Sequence, residues 1–447
     1  MEMNDTPPSA SKLSILNNPS KAILHTAIIV SKSHERRWST VKKTTKVLVG
    51  CSVAAAIFFG FRQAGFSSLT AVLESRLSRW VTIGDETYMT PVYNGDYRLI
   101  FDENFDESPL DPAIWNDQYL ASWTPDMEAA RAVYEVADGN LNLIINEESQ
   151  PWNPEFDDTV RTSSVMTGNR TGLHEFKAGL EVRNDIEPFM GFISQYGVFE
   201  IRAKMMNSLG NMCAWWLVGI QDTPQQDVEV DVFENALNFG NVVTASLYAH
   251  GDPLAREQHF VHDVGDADLS NEFHLYTFEW TAEGFVFYFD DEEIGTFQAE
   301  VVYPMISILS AYEGRENWWV GPFDPAAPYP KVFQIDYMKV WKKVPEDYEQ
   351  VDKLKIVSQD EATFTLEAGQ YAIEHSQLVG FPSYVTLRYN DGTDTQQWVK
   401  WQELTPAILS KLDKPGSFKL EGEIIGLSED ILGNRKATIK IIVSQNE

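Results

Sequence analysis

Residues 228–234 read VEVDVFE, a run in which apolar residues are interleaved with three carboxylates. Side chains in a β-strand alternate between its two faces, so Glu229 and Asp231 share one face while the valines pack on the other. Glu234 lies five positions after Glu229, and it joins the acidic face only if a one-residue β-bulge separates Asp231 from Glu234. The run therefore predicts a bulged strand with three carboxylates on one face and Phe233 on the core side.

Segments on both sides of this run have the same two-residue period. Alternation of this kind, bounded by Gly, Asp, Asn and Pro, predicts half-buried strands, as in NLNLIIN (140–146), YGVFEIRAKM (196–205), FVFYF (285–289) and QIDYMKV (334–340). Long helical patterns are scarce in this region. We therefore predict an all-β domain over residues 96–345, built from two packed antiparallel sheets as a sandwich or jelly roll.

The pattern breaks at Val344-Pro345-Glu346, and a second strand-like block occupies residues 346–447. This block contains a turn signal at Asn390-Asp391-Gly392 and has about the length of an immunoglobulin-like sandwich. It carries no nucleophile–base pair, phosphate loop or metal motif. We therefore expect it to be dispensable for chemistry.

Composition narrows the range of partners and of stabilising features. The 447 residues are 43% apolar and carry a formal charge of −31, which repels phosphate backbones and excludes nucleic acid as an expected partner. The two cysteines, Cys51 and Cys213, supply neither a disulfide framework nor a zinc motif. Stability is expected to come from packing, and no cofactor is expected to be required.

The basic residues are concentrated at the N-terminus. Residues 1–80 have a net charge of +7, which leaves −38 on the remainder, and Lys42, Lys43 and Lys46 directly precede the uncharged run Val47–Phe61. A basic leader (1–41), an apolar helix (42–66) and a linker (67–95) predict a signal anchor that places the rest of the chain outside the membrane. A cleaved signal peptide and secretion are the alternative, and the oligomeric state stays open.

The three carboxylates of residues 228–234 are the groups that glycoside hydrolysis needs. One ionised nucleophile and one protonated acid must flank the scissile bond, and a third carboxyl group can hold that pair in opposite protonation states. Crowded carboxylates are costly, because each raises the pKa of its neighbours. A solvated acidic edge strand or a cation site are the other interpretations of such a short motif.

Residues 98–342 resemble glycoside hydrolase family 16, whose signature is a strand carrying E-[ILV]-D-x-x-E. The similar segments, in the family's order, are FDENF (101–105) with Leu110-Asp111 and Trp115, DGNL (138–141), YGVFEIRAK (196–204), AWWL (214–217), EVDVFE (229–234), FHLYTFEW (273–280) and DYMKVW (336–341). The resemblance implies a concanavalin-like β-jelly roll and a retaining mechanism with Glu229 as nucleophile, Asp231 as its helper and Glu234 as acid/base. The bulged spacing is similar to that of the laminarinase and agarase branches.

The same resemblance suggests binding residues. Met212-Cys213 replaces the Trp-Pro pair of β-1,3-glucan enzymes, and a family histidine position falls on Tyr248, with His250 two residues later. Trp215 and Trp216 should point to opposite faces of a strand, with Trp216 available to stack on a sugar. Aromatic residues in loop-like stretches, Trp123, Trp318 and Trp319, are further candidates. The family's structural calcium would fall on Glu103 and Asp336, since oxygen ligands suit that ion.

The last block resembles a bacterial immunoglobulin-like domain, through PSYVTL (382–387), YNDGT (389–393), VKW (399–401), PGSF (415–418) and ATIKIIV (437–443). Together these features predict a membrane-anchored, extracellular endo-glycosidase acting on a neutral β-linked polysaccharide, first of all a β-1,3-glucan. An endo-β-galactanase or a transglycosylase on the same scaffold is the alternative within enzymes. A non-catalytic glycan-binding or adhesion protein is the alternative from another class, although binding alone does not require the three carboxylates.

Overall fold

The computed structural model describes residues 80–83, 86–315, 318–374, 377–428 and 430–445. The predicted membrane anchor, residues 42–66, lies outside these residues and stays a prediction. Among the helices that the structure describes, none is long and apolar enough to cross a membrane.

Two sheets form the body of residues 93–343, and the alternation predicted for their strands is observed. In His274–Thr281, for example, buried and half-buried side chains alternate at every position. Within the described residues, one sheet has nine strands: β3 (Tyr93–Asn94), β4 (Tyr97–Glu103), β5 (Tyr134–Ala137), β6 (Asn140–Ile145), β10 (Gly197–Lys204), β15 (His274–Thr281), β16 (Gly284–Phe289), β17 (Glu292–Gln298) and β19 (Lys331–Lys343).

The second sheet contains the acidic run. As far as the chain is described, its six strands are β7 (Arg161–Met166), β11 (Asn211–Gly219), β12 (Glu229–Asn235), β13 (Val242–Tyr248), β14 (Gln258–Asp263) and β18 (Met305–Glu313). They follow the order β14-β13-β12-β11-β18-β7, and all neighbours are antiparallel. The predicted all-β architecture of two packed antiparallel sheets is thus confirmed.

The main core lies between these two sheets. It joins aromatic side chains of the nine-stranded sheet, such as Phe199 and Phe278, to Trp215 and Phe233 of the six-stranded sheet. A second apolar cluster covers the opposite face of the six-stranded sheet, where Trp216 and Ile308 meet loop residues such as Trp152. All nine residues of β11 are therefore buried, because both of its faces are covered.

The C-terminal block forms its own six-stranded arrangement in the described residues. Its elements are β20 (Ile356–Gln359), β21 (Ala362–Glu367), β24 (Tyr384–Tyr389), β25 (Asp394–Trp401), the helix α1 (Pro406–Leu412), β26 (Gly416–Ile424) and β27 (Lys436–Ser444). The strands follow the order β20-β24-β25-β26-β27-β21. Two apolar clusters of its own, one around Leu387 and one around Ile441, make it a separate packing unit.

Three short hairpins and one 3₁₀ turn complete the described elements. The hairpins pair β1 (Trp80–Ile83) with β2 (Glu86–Met89), β8 (Gly168–Asn169) with β9 (Phe189–Met190), and β22 (Ile373–Glu374) with β23 (Gln377–Leu378). The 3₁₀ turn, Leu237–Phe239, follows β12 directly. It therefore starts the loop that leaves the acidic strand.

Buried polar contacts join the C-terminal block to the two-sheet body. Nε of Arg98 in β4 lies 3.0 Å from Oδ2 of Asp391, and Nζ of Lys342 in β19 lies 3.0 Å from Oδ1 of Asp394. At a second place, Oδ2 of Asp222 accepts a hydrogen bond from the Ser383 amide at 2.8 Å. Because buried charges are costly without partners, these contacts make the C-terminal block part of the stability of the body.

Candidate active site

The acidic run forms β12, and the predicted bulge is present. Phe233 pairs with Trp215, but the next residue of β11, Trp216, pairs with Asp231, so Val232 is the extra residue. The bulge brings Glu234 to the face that carries Glu229 and Asp231, and all three carboxylates line one cavity. Phe233 lies in the main core, as the alternation predicts.

The cavity lies over the face of the six-stranded sheet that points away from the main core, and has a volume of about 830 Å³. Among the described residues that line it, none is Lys or Arg, and the lining includes aromatic side chains, carboxyl groups and imidazole groups. The aromatic and histidine residues are Tyr119, Trp152, His174, Phe176, Trp216, Phe239, Tyr248, His250, His259, Tyr312, Trp318 and Trp319. Such a surface suits a neutral ligand that offers both apolar faces and hydroxyl groups.

The environments of Glu229 and Glu234 drive their protonation states apart. Burial alone would raise the pKa of Glu229, but the charge and hydrogen bond of His174, followed by those of His250, outweigh it and lower that pKa to about 2. Burial, followed by the charge of Glu229, raises the pKa of Glu234 to about 8. At neutral pH the Glu229 carboxyl group is therefore ionised and the Glu234 carboxyl group protonated, the two states that a nucleophile and a general acid require.

Asp231 lies between these two groups along the strand and is almost completely buried. Burial first, and then the charges of Glu234 and Glu229, raise the pKa of Asp231 well above its usual range. A hydrogen bond to Glu229 contributes to this shift. A protonated Asp231 can donate to the Glu229 carboxylate and thereby stabilise its negative charge.

Two histidines contact the nucleophile candidate. Nε2 of His250 lies 2.7 Å from Oε2 of Glu229, and Nε2 of His174 lies 3.3 Å from the same oxygen. The ring of His174 also packs against the Trp216 ring at 5.4 Å. Both histidines are therefore placed to compensate the charge of Glu229.

The backbone around these histidines is unusual. His174, His250 and Gln221 have φ values of 57°, 41° and 55°, in the left-handed region that side chains other than glycine seldom adopt. Such conformations persist only where contacts hold them, and they cluster at functional sites. Oε1 of Gln221 accepts the His174 amide at 2.7 Å, which is one of those contacts.

The structure brings four of the five predicted binding residues to the cavity: Trp216, Tyr248, Trp318 and Trp319. Trp319 is 61% exposed and stacks on Phe239 at 5.7 Å, whereas Trp216 is almost completely buried and donates from its indole nitrogen to Ser310. The fifth, Trp123, is buried away from the cavity and donates to the Leu173 carbonyl at 2.7 Å. It therefore packs in the second apolar cluster and does not line the site.

Several cavity residues were not predicted. His174, Trp152, Asp157 and Tyr119 come from loops outside the strand patterns, and no local spacing marks them as site residues. His250 lies two residues after Tyr248, which is a predicted binding residue, so its position in the sequence indicates that it could lie near the site. The loop residues carried no such signal.

The two residues predicted to bind calcium have protein partners. The carboxylate of Glu103 accepts from the Phe105 amide at 2.9 Å and from the Trp115 indole at 3.1 Å. Asp336 forms an ion pair with Arg202 at 2.5 Å. A guanidinium group beside Asp336 opposes a second cation there, so these two residues do not fit a calcium site.

Comparisons with known proteins agree with this geometry. Residues 191–338 match the family model of glycosyl hydrolases family 16, and residues 366–427 match the bacterial Ig-like domain, group 4. The chain is 25% identical over 223 residues to the endo-1,3-1,4-beta-glycanase EglC of Rhizobium meliloti. The aligned stretch covers 47% of this chain and 43% of that protein. It is 24% identical over 204 residues to the beta-glucanase of Acetivibrio thermocellus, 44% of this chain and 56% of that protein.

One solved structure resembles the chain over a longer stretch. The GlcNAcα1-4Gal releasing endo-β-galactosidase from Clostridium perfringens has a TM-score of 0.53 and 26% identity, covering 75% of this chain and 90% of its own. By contrast, the chain spans less than half the length of the rhizobial enzyme. The family matches confirm the predicted class: residues 191–338 match glycosyl hydrolases family 16, a family of glycoside hydrolases, and residues 366–427 match a bacterial immunoglobulin-like domain.

Proposed function

We propose that this protein is a retaining endo-glycosidase that hydrolyses a neutral β-linked polysaccharide. The observation that carries the proposal is the opposite protonation of Glu229 and Glu234 on one bulged strand, with pKa values of about 2 and about 8, in one cavity. A retaining glycosidase needs one ionised and one protonated carboxyl group on opposite sides of the scissile bond. The non-catalytic adhesion alternative gives no reason to maintain such a costly pair.

In the proposed reaction, Glu229 attacks the anomeric carbon while Glu234 donates its proton to the leaving oxygen. The bond from the sugar to the leaving group breaks as the bond from the sugar to the Glu229 carboxylate forms. Glu234, now ionised, then removes a proton from water, which attacks the same carbon and releases Glu229. Asp231 and the two histidines stabilise the Glu229 carboxylate when it is free.

A neutral substrate is supported by the charges in the cavity. Glu229, Asp231, Glu234 and Asp157 line it, with no Lys or Arg among its described lining residues. A sulfated or uronic polymer would be repelled at these carboxylates and would find no cationic partner of that kind. We propose a β-glucan with β-1,3 linkages as the first candidate, supported by the similarity to an endo-1,3-1,4-beta-glycanase and to a beta-glucanase.

A β-linked galactan is the second candidate. It is favoured by the likeness to an endo-β-galactosidase, which covers three quarters of this chain. Transfer to a second sugar in place of water would use the same two carboxylates. As for location, we propose that the enzyme acts outside the cytoplasmic membrane, on the basis of the basic leader and apolar run of residues 1–61.

The experiment is release of reducing ends from a panel containing a β-1,3-glucan, a mixed-linkage β-1,3-1,4-glucan, a β-linked galactan and a sulfated galactan. We expect turnover on at least one of the neutral polymers and none on the sulfated one. Glu229→Gln should abolish it, and the matched control Glu292→Gln, exposed in β17 of the other sheet, should not. Equal activity of wild type and Glu229→Gln on every polymer would refute the proposal.

A further inference from the structure

His174, Glu229 and His250 place three ligand atoms around one point at the wall of the cavity. Nε2 of His250 and Nε2 of His174 lie 2.7 and 3.3 Å from Oε2 of Glu229, and the three ligand atoms lie within 4.8 Å of one another. A tetrahedral ion with bonds of about 2.0–2.1 Å holds its ligand atoms about 3.3 Å apart. Of the three side chains, that of His250 is the most exposed, so it has the most room to rotate towards that spacing.

The surroundings of His174 resemble those of a metal ligand. Its Nε2 faces Glu229, while its Nδ1 is buried, has no hydrogen-bond partner among the described residues and lies 3.8 Å from Oδ1 of Asp227. Metal-bound histidines commonly direct their second nitrogen towards a carboxylate, which fixes the tautomer and the ring orientation. Asp227 is itself held by the side-chain amide of Gln221.

We propose that His174, Glu229 and His250 bind a divalent transition-metal ion such as Zn²⁺, and that the bound ion inhibits the enzyme. Two imidazole nitrogens and one carboxylate oxygen suit Zn²⁺, Ni²⁺ or Cu²⁺, whereas Ca²⁺ and Mg²⁺ prefer sets of oxygen ligands. The fourth position opens to the cavity, since all three residues line it. Metal binding stands without the proposed function, whereas the inhibition rests on it.

The inhibition follows from the identity of the atom to which the ion would bind. Oε2 of Glu229 is the common neighbour of both histidines, and the same carboxylate is the proposed nucleophile. An ion bound there neutralises the carboxylate and blocks its approach to the anomeric carbon. Because the site lies inside the cavity, the ion and an oligosaccharide should compete.

The test uses the full chain and Co²⁺ as a spectroscopic substitute for Zn²⁺, at about pH 8, where protons compete less with the metal. We expect one Co²⁺ per chain with the visible absorption of a tetrahedral site, displaced by Zn²⁺ and removed by a chelator. His250→Ala should weaken Co²⁺ binding at least tenfold. The matched control, His262→Ala, removes a histidine of β14 that does not line the cavity and should leave the binding unchanged.

Absence of the tetrahedral absorption in wild type, or equal Co²⁺ affinity in His250→Ala and His262→Ala, would overturn the proposed site. A third variant, His174→Gln, removes another of the three ligands and should also weaken Co²⁺ binding. If this variant fails to fold, the comparison of His250→Ala with His262→Ala still decides. In parallel, Zn²⁺ should suppress release of reducing ends in wild type, with recovery on chelation. Metal binding without turnover on any polysaccharide would uphold the site and count against the proposed function alone.

Discussion

Asp391→Ala tests whether the C-terminal domain is part of the stability of the enzyme. Asp391 is fully buried, and its carboxylate meets Nε of Arg98, which is only 5% exposed, at 3.0 Å. The same carboxylate accepts hydrogen bonds from the Tyr93 hydroxyl at 2.9 Å and from the Thr393 hydroxyl at 2.6 Å. Alanine at this position leaves a buried guanidinium group of the catalytic domain without its charged partner.

The expected loss follows from burial. Removing one member of a buried ion pair costs about 3–5 kcal/mol, because the other charge remains desolvated and uncompensated. That corresponds to a decrease of roughly 100- to 4,000-fold in the ratio of folded to unfolded protein. The matched control is Asp360→Ala, which removes the partner of Arg388 in the same domain, where the two side chains are 50% and 49% exposed. An exposed pair contributes about 0–1 kcal/mol.

The assay is equilibrium unfolding by denaturant, followed by both fluorescence and circular dichroism, for wild type and the two variants. We expect Asp391→Ala to lower the free energy of unfolding by at least about 3 kcal/mol, and Asp360→Ala by less than about 1 kcal/mol. Equal losses in the two variants, or no loss in Asp391→Ala, would refute the reasoning.

Three further predictions concern the cavity. Glu234 must be protonated to act as the acid, and its pKa is raised to about 8, so kcat/KM should fall as the pH rises through about 8. A fall near the ordinary pKa of a glutamate would contradict this role. His250→Ala removes a hydrogen bond and a charge that lower the pKa of Glu229, so the acidic limb of the kcat/KM profile should move to higher pH. If that limb keeps its position, His250 does not keep the Glu229 carboxylate ionised. Trp319→Ala should raise KM by roughly fivefold with little change in kcat, since an aromatic contact contributes about 1 kcal/mol. Tyr348, which is 50% exposed against 61% for Trp319, lies outside the cavity, so Tyr348→Ala should leave KM unchanged; equal KM values for the two variants would exclude a stacking role.

The strand that carries the carboxylates was predictable because its signal is local. A period of two in residues 228–234 requires a bulge if Glu234 is to join Glu229, and Val232 is the residue that provides it. The split of Trp215 and Trp216 between two clusters follows from the same alternation. Short-range geometry alone therefore gave the acidic face of the site.

The remaining contacts depend on residues far apart in the chain. His174 contacts Glu229 from a loop, and the backbone of His174 itself is in the left-handed region. No periodic sequence pattern indicates such a position. Arg98 and Asp391 pair between two domains and are 293 positions apart, so no local sequence pattern predicts their contact. Trp123 is a prediction that was wrong. Its loop-like sequence context favoured an exposed ring in the binding site, but tertiary packing buries the ring.

The measurement that tests the catalytic roles most directly is the anomeric configuration of the products that azide forms with two variants. The substrate is an aryl β-glycoside with a good leaving group, built on an oligosaccharide of the preferred polymer. In Glu229→Ala, azide replaces the missing nucleophile and should give an α-glycosyl azide by one inversion. In Glu234→Ala, Glu229 still forms the glycosyl-enzyme, and azide should give the β-product by a second inversion. The same anomer from both variants would contradict the assignment of Glu229 as nucleophile and Glu234 as acid/base.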